Sequence, residues 1–158
     1  MRRISLFLLL LCVLFVSTAA AQSTIFLVRH AEKAGGDDPD LTAAGRARAE
    51  SLATVLKDAG ITAIYTSEVK RTQQTAAPAA KALHLEPAAI PANDRAALVA
   101  KLKSSSGNAL VVGHSNTIPE IIKALGIAAT LNIDDNDYDN LFVVVLEEKP
   151  RLIRLHYR

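Results

Sequence analysis

Apolar and polar positions along the chain alternate between two rhythms. Thr24-Ile25-Phe26-Leu27-Val28 is a short apolar run rich in β-formers, and Leu41-Thr42 then opens a stretch with Ala44, Ala47, Leu52, Val55, Leu56 and Ala59 at helical spacing. Thr42 suits an N-cap and Gly60 a helix stop. Ile61 to Tyr65 reads as a second strand, and an alanine-rich helix falls between Glu68 and Leu83, where Pro78 either kinks it or marks a later start. Ala88 to Pro91 is a short third strand. Asn93 or Asp94 can cap a helix through Ala97, Leu98 and Leu102, which Ser104 to Gly107 break. Ala109 to Gly113 is a buried strand, followed by a helix from Thr117 to Leu125 with Ile118, Ile121, Ile122 and Leu125 on one side. Leu141 to Leu146 and Leu152 to Tyr157, joined around Lys149-Pro150, form a closing hairpin. This β-α alternation predicts an α/β fold: a single-domain three-layer α/β/α sandwich, its sheet mostly parallel with an antiparallel edge.

The first residues break the rhythm. Met1-Arg2-Arg3 is basic, Ile4 to Val16 is almost wholly apolar, and Ser17 to Gln22 is small and polar, the three-part layout of a secretory signal peptide. The apolar run is short for a spanning helix, and Ala19-x-Ala21 fits a cleavage site, so 1–21 is expected to be removed and 22–158 to form the domain. The expected destination is periplasmic or extracellular, with no membrane attachment once the signal is gone. Cys12 follows a run of leucines, Leu8 to Leu11, where a lipoprotein signal wants a small residue, and it is the only cysteine. The domain is therefore expected to fold without disulfides. Arg2 and Arg3 account for the whole formal excess of +2, which leaves a neutral domain and no argument for nucleic acid as a partner.

Chemistry gathers beyond the strand ends. Arg29-His30 follows the first strand, Ser67 and Arg71 the second, and His114-Ser115-Asn116 the fourth. In an open α/β sheet that edge binds ligands. Two guanidinium groups can chelate phosphoryl oxygens and an imidazole can attack phosphorus. Ser67, Ser115 and Asn116 offer further polar contacts, and the turn before Thr117 opens a helix whose free N–H groups suit an anion. His84 and His156 lack such company and read as a helix-end and a surface-strand residue.

Leu27-Val28-Arg29-His30-Ala31-Glu32-Lys33, Tyr65-Thr66-Ser67 with Arg71-Thr72-Gln73-Gln74-Thr75-Ala76, and Val112-Gly113-His114-Ser115-Asn116-Thr117 together resemble the histidine phosphatase superfamily, the phosphoglycerate-mutase-like clan. The resemblance implies a phosphatase in which His30 becomes phosphorylated while Arg29, Arg71 and His114 bind the phosphoryl oxygens, with no cofactor and no metal. Attack needs a neutral His30, and His114 serves better as a cation, so the two are expected to titrate apart. Ala31 stands where the family usually has glycine. The general acid stays open between Asp94, which can equally be a helix cap, and Glu32, with Asp37, Asp38 and Asp40 behind them.

The chain resembles the small bacterial phosphohistidine phosphatases in lacking room for the long insert of mutases and larger acid phosphatases. An open site admits a phosphorylated small molecule, an envelope sugar or a phosphoprotein. Three rival readings remain: a phospho-ligand-binding protein of the same fold, a phosphoglycerate-type mutase, and a calcium-binding protein built on Asp135 to Asn140. The last fits poorly, since a calcium loop starting at Asp135 would want glycine at Asn140 and glutamate at Leu146.

Overall fold

The computed structural model describes residues 22–158; the expected signal segment 1–21 lies outside the described residues. Ten elements follow in order: β1 (Ser23–Arg29), α1 (Ala43–Leu56), β2 (Ile61–Thr66), α2 (Lys70–Leu83), β3 (Ala88–Ala89), α3 (Arg95–Ser104), β4 (Asn108–Gly113), α4 (Thr117–Ala124), β5 (Asn140–Leu146) and β6 (Arg151–His156). They build one six-stranded sheet in the order β3-β2-β4-β1-β5-β6. The four strands β3, β2, β4 and β1 run parallel, and β5 and β6 close the sheet antiparallel. The expected α/β/α sandwich with an antiparallel edge is the architecture found.

Each sheet face carries its own core. Ile25, Leu27, Val111 and Phe142 pack with Leu98 and Leu102 of α3 and Ile118 and Ile122 of α4. Val28, Ile64, Leu110 and Val112 pack with Leu52 and Leu56 of α1 and Ala76 and Ala79 of α2. The central strands are apolar on both sides because both sides are covered, and each aliphatic side chain withdrawn from water stabilises the fold by about 1.5–3 kcal/mol. Among the described residues no helix is long and apolar enough to cross a membrane.

Three elements differ from the periodic reading. The buried face of α1 is Gly45, Ala49, Leu52, Ala53 and Leu56, whereas Ala44, Ala47 and Val55 face outward. Close approach sets this rotation: a Cβ at Gly45 would run into the backbone carbonyl of Glu32, so the helix starts flat against the loop that leaves β1. The second difference is α2, which runs through Pro78 without stopping. A proline there costs the helix about 3 kcal/mol, and burial of Thr75, Ala76, Ala79 and Ala80 around it holds the element together. β3 ends sooner than expected because Pro91 has no N–H to offer the sheet; Ile90 N still donates to Thr66 O at 2.9 Å.

Candidate active site

β1, β2 and β4 are adjacent and parallel, so their C-terminal ends deliver His30, Ser67 and His114 to one crevice. β1 ends at Arg29, yet His30 N still donates to Gly113 O at 2.9 Å, which holds the nucleophile candidate against β4. The next residue is tied to α2: Ala31 N donates to Thr75 Oγ1 at 2.9 Å, and Thr75 Oγ1 donates to Arg71 O at 2.7 Å. The segment carrying His30 and the helix carrying Arg71 are thereby locked in register. The methyl group of Ala31 is fully buried beside Leu41 and Ala49, so the departure from glycine fills space rather than freeing the backbone.

His30 is 4 % exposed, and its Nδ1 lies 2.9 Å from Ala31 O. A carbonyl oxygen can only accept, so Nδ1 carries the hydrogen and the lone pair of the neutral ring sits on Nε2. Burial lowers the His30 pKa to about 4; Ala31 O opposes the shift, while Arg29, His114 and Arg71 add to it. The ring is therefore neutral around pH 7.

His114 follows β4, with its ring edge-on to His30 at 5.5 Å between centroids. Its backbone N–H donates to Thr117 Oγ1 at 2.9 Å, which fixes the turn into α4. Burial lowers its pKa to about 4 as well, reinforced by Arg71 and Arg29 and opposed by the carboxylate of Glu68. The two histidines therefore do not titrate apart in the free protein as the sequence suggested: both sit among arginines, and both are held neutral.

Arg29 is 6 % exposed. Its Nη1 donates to Asp134 O at 2.7 Å, and the guanidinium lies 4.4 Å over the Tyr138 ring. Asp135, 3.8 Å away and 96 % exposed, adds little. Arg29 Nε and Arg71 Nε are buried donors that no protein acceptor meets. An unmet buried donor costs about 1–3 kcal/mol, and two of them on guanidinium groups that both act on His30 and His114 suit an oxyanion.

The other expected site residues divide. Ser67 is in the crevice, but its hydroxyl lies between His114 Nε2 at 3.0 Å and Thr72 Oγ1 at 2.9 Å. Ser115 is half-buried and Asn116 exposed at the start of α4, where Asn116 makes no side-chain cap hydrogen bond. Asp94 lines the same crevice as Ser67 and His114, and its Oδ1 also accepts from Ala97 N at 3.2 Å to cap α3. His30, Arg29 and Arg71 do not line that pocket, so the helix cap is the role the structure shows for Asp94.

Glu32 is a different matter. Arg48 holds it with Nε at 2.9 Å from each carboxylate oxygen and Nη2 at 2.7 Å from Oε1, while Arg48 Nη1 reaches Tyr157 O. Burial would raise the Glu32 pKa, and the Arg48 hydrogen bonds outweigh it and lower it. Glu32 is thus an ionised structural group joining the β1 loop, α1 and the chain end, which corrects the reading of it as an acid. Asp38 and Asp40 are also engaged, accepting from Lys70 N and Gln74 Nε2 respectively.

Three residues near the site escaped the sequence reading. Glu68, next to Ser67, accepts from Ala92 N at 2.9 Å and stays ionised: hydrogen bonds from its own and the Ala92 backbone lower its pKa, aided by His114 and Arg71. Thr72 is fully buried behind Ser67. Tyr138 was visible only as part of an acidic loop. Its proximity to Arg29 and, at 6.3 Å, to His30 depends on how that loop folds back over the sheet end. His84 ends α2 in the left-handed conformation and His156 is exposed on β6, as expected, while the Asp139 carboxylate 2.8 Å from His156 Nδ1 was not foreseen.

The chain matches the family model of the histidine phosphatase superfamily (branch 1) over residues 25–94. No curated protein matches it. Among solved structures it is similar to an alpha-ribazole phosphatase from Shigella flexneri (18 % identity, TM-score 0.69, covering 84 % of this chain and 96 % of that one). It is also similar to the protein histidine phosphatase SixA complexed with tungstate (19 %, 0.68, 84 % and 96 %). A mycobacterial glucosyl-3-phosphoglycerate phosphatase matches at 13 % identity and TM-score 0.68, covering 87 % of this chain and 100 % of that one. At these identities the structural likeness establishes the fold.

Proposed function

Since the chain belongs to the histidine phosphatase superfamily, we propose that it is an exported phosphomonoesterase working through a phosphohistidine on His30. The observation that carries this reading is the state of His30: a buried imidazole with its hydrogen committed to Ala31 O, its lone pair on Nε2, and Arg29 and Arg71 close enough to shift its pKa. A nucleophile toward phosphorus needs that lone pair and that neighbouring positive charge.

In the first step Nε2 attacks phosphorus, the N–P bond forms, and the ester P–O bond breaks. Arg29 and Arg71 bind the equatorial oxygens, whose charge they offset without reorganising. The departing oxygen takes a proton from Asp94, the carboxyl that lines the crevice beside His114. Phosphorylated at Nε2 and still donating from Nδ1 to Ala31 O, the ring is cationic, which makes it a good leaving group. Water then attacks phosphorus and gives a proton back to Asp94, the N–P bond breaks with its electron pair returning to Nε2, and neutral His30 and the Asp94 carboxyl are regenerated.

No cofactor or metal enters these steps. The related proteins act, by their names, on a ribazole phosphate, on protein phosphohistidine and on glucosyl-3-phosphoglycerate. Phosphorylated small molecules, envelope sugars and phosphoproteins are the corresponding candidates here. A turnover screen of the purified protein across these classes, with His30→Ala as control, tests the reading: wild-type release of phosphate that the variant lacks supports it, and equal release by both contradicts it.

A further inference from the structure

Ser67 and Thr72 line up behind His114 in a chain whose direction can be read. Thr72 Oγ1 is 2.8 Å from Val69 O and 3.2 Å from Ser67 O, Ser67 Oγ is 2.9 Å from Thr72 Oγ1, and His114 Nε2 is 3.0 Å from Ser67 Oγ. Carbonyls only accept, so the single hydroxyl hydrogen of Thr72 goes to one of them. The Thr72 oxygen must then accept from Ser67. Ser67 has now used its only hydrogen, so it accepts from His114, and Nε2 is the nitrogen that carries the proton. Both hydroxyls are nearly or fully buried, at 5 % and 0 % exposure, which keeps water from offering another arrangement.

The consequence concerns substrate. One ring nitrogen is occupied with Ser67, and in the neutral ring the other, Nδ1, presents a lone pair to anything that approaches. We propose, on the basis of the phosphatase reading above, that Ser67 and Thr72 are positioning residues that lock His114 as the Nε2–H tautomer, so that His114 grips a phosphoryl oxygen only by taking one proton from solvent onto Nδ1. Ser67 on this account serves through His114 and does not itself touch the substrate.

The groups around the ring agree. Arg71 at the start of α2 and Arg29 at the end of β1 oppose a charge on His114, the facing His30 is a neutral ring, and the Glu68 carboxylate favours the charge. Asp94 and Arg95 at the start of α3 line the pocket beside His114. In the free protein the ring is held neutral; a dianion between the two arginines supplies the missing negative charge. Binding then takes up a proton, so affinity for a dianion falls as pH rises, by up to tenfold per pH unit.

The test uses ¹⁵N NMR of the histidine ring nitrogens, with the His114 signals identified by their loss in His114→Ala. It is paired with sulfate binding between pH 6 and 8, since sulfate stays a dianion throughout and any proton taken up is the protein's. The expected wild-type result is protonated Nε2 without sulfate, both nitrogens protonated with it, and an affinity that drops with pH. Thr72→Val removes the hydroxyl at nearly constant shape and should give a mixed tautomer and a flatter pH slope, whereas Thr72→Ser should restore both. A wild-type ring protonated at Nδ1, or Thr72→Val indistinguishable from wild type in both measurements, overturns the proposal. Sulfate failing to bind while Nε2 remains protonated would leave the tautomer lock standing but overturn the proton uptake, and would count against the phosphatase reading itself.

Discussion

Two imidazoles buried among guanidinium groups set the pH range in which this site is reactive. The pKa values of His30 and His114, lowered to about 4 from 6.5, mean that the unfolded chain binds more protons than the folded one between those values. Stability attributable to the pair is therefore fully present above about pH 6.5 and is lost as pH falls toward 4. Thermal melts should show Tm declining across that window, and His30→Asn should shallow the decline; a Tm flat from pH 7 to 4 contradicts the burial argument. kcat/KM, which requires neutral His30, should keep its acid limb near 4 rather than at 6.5. Asp94 and Glu32, the two candidate acids, should behave differently on substitution. Asp94→Asn should slow alkyl phosphates by about 10²–10⁴-fold and nitrophenyl phosphate far less, because only the poor leaving group needs the proton. Glu32→Gln should leave that ratio unchanged and cost roughly 1–3 kcal/mol of stability, since it strips Arg48 of its partner. The same loss of rate on both substrates in Asp94→Asn would remove Asp94 from the mechanism. The gathering of Arg29, His30, Arg71 and His114 at one sheet edge could be read from the chain because each lies at or shortly beyond the end of a strand that the apolar pattern marks clearly. The fate of Glu32 could not, because Arg48 lies a helix away and only the fold brings them together.

At the scale of elements, α2 is the arm that organises the crevice. It carries Arg71, buries Thr72 behind Ser67, and through Thr75 holds the backbone of Ala31. Thr75→Val keeps the shape and removes the acceptor of Ala31 N, so it should cost about 1–3 kcal/mol and lower kcat more than it raises KM, the signature of a displaced nucleophile. Unaltered kcat with a lowered Tm would confine Thr75 to stability. The helix was legible, but the choice between a helix through Pro78 and a later start was not: a proline penalty is local, and the packing of Thr75, Ala76, Ala79 and Ala80 that outweighs it is not. The facing of α1 was misjudged for the same reason. Small residues there look equivalent in a periodic reading, and Gly45 is distinguished from Ala44 only by the Glu32 carbonyl it meets.

For the whole molecule, the sheet order puts three strand ends side by side, which is why residues from Arg29 to His114 converge although the chain visits them far apart. Neutralising phosphate with arginine should make the rate insensitive to chelator, and activity that vanished with chelator and returned with added divalent ion would redirect attention to the acidic loop from Asp134 to Asp139. The expected export of the chain is checked by N-terminal sequencing of the protein recovered outside the cytoplasm, which should begin at Gln22; intact Met1 would contradict it. The central claim, that a phosphoryl group passes through His30, is tested most directly by rapid quench with ³²P-labelled substrate followed by peptide mapping. The account predicts an acid-labile, alkali-stable label on the peptide containing His30, absent in His30→Ala and weak in Arg71→Ala. Label on Ser67 or Ser115, or full turnover by His30→Ala, would contradict it.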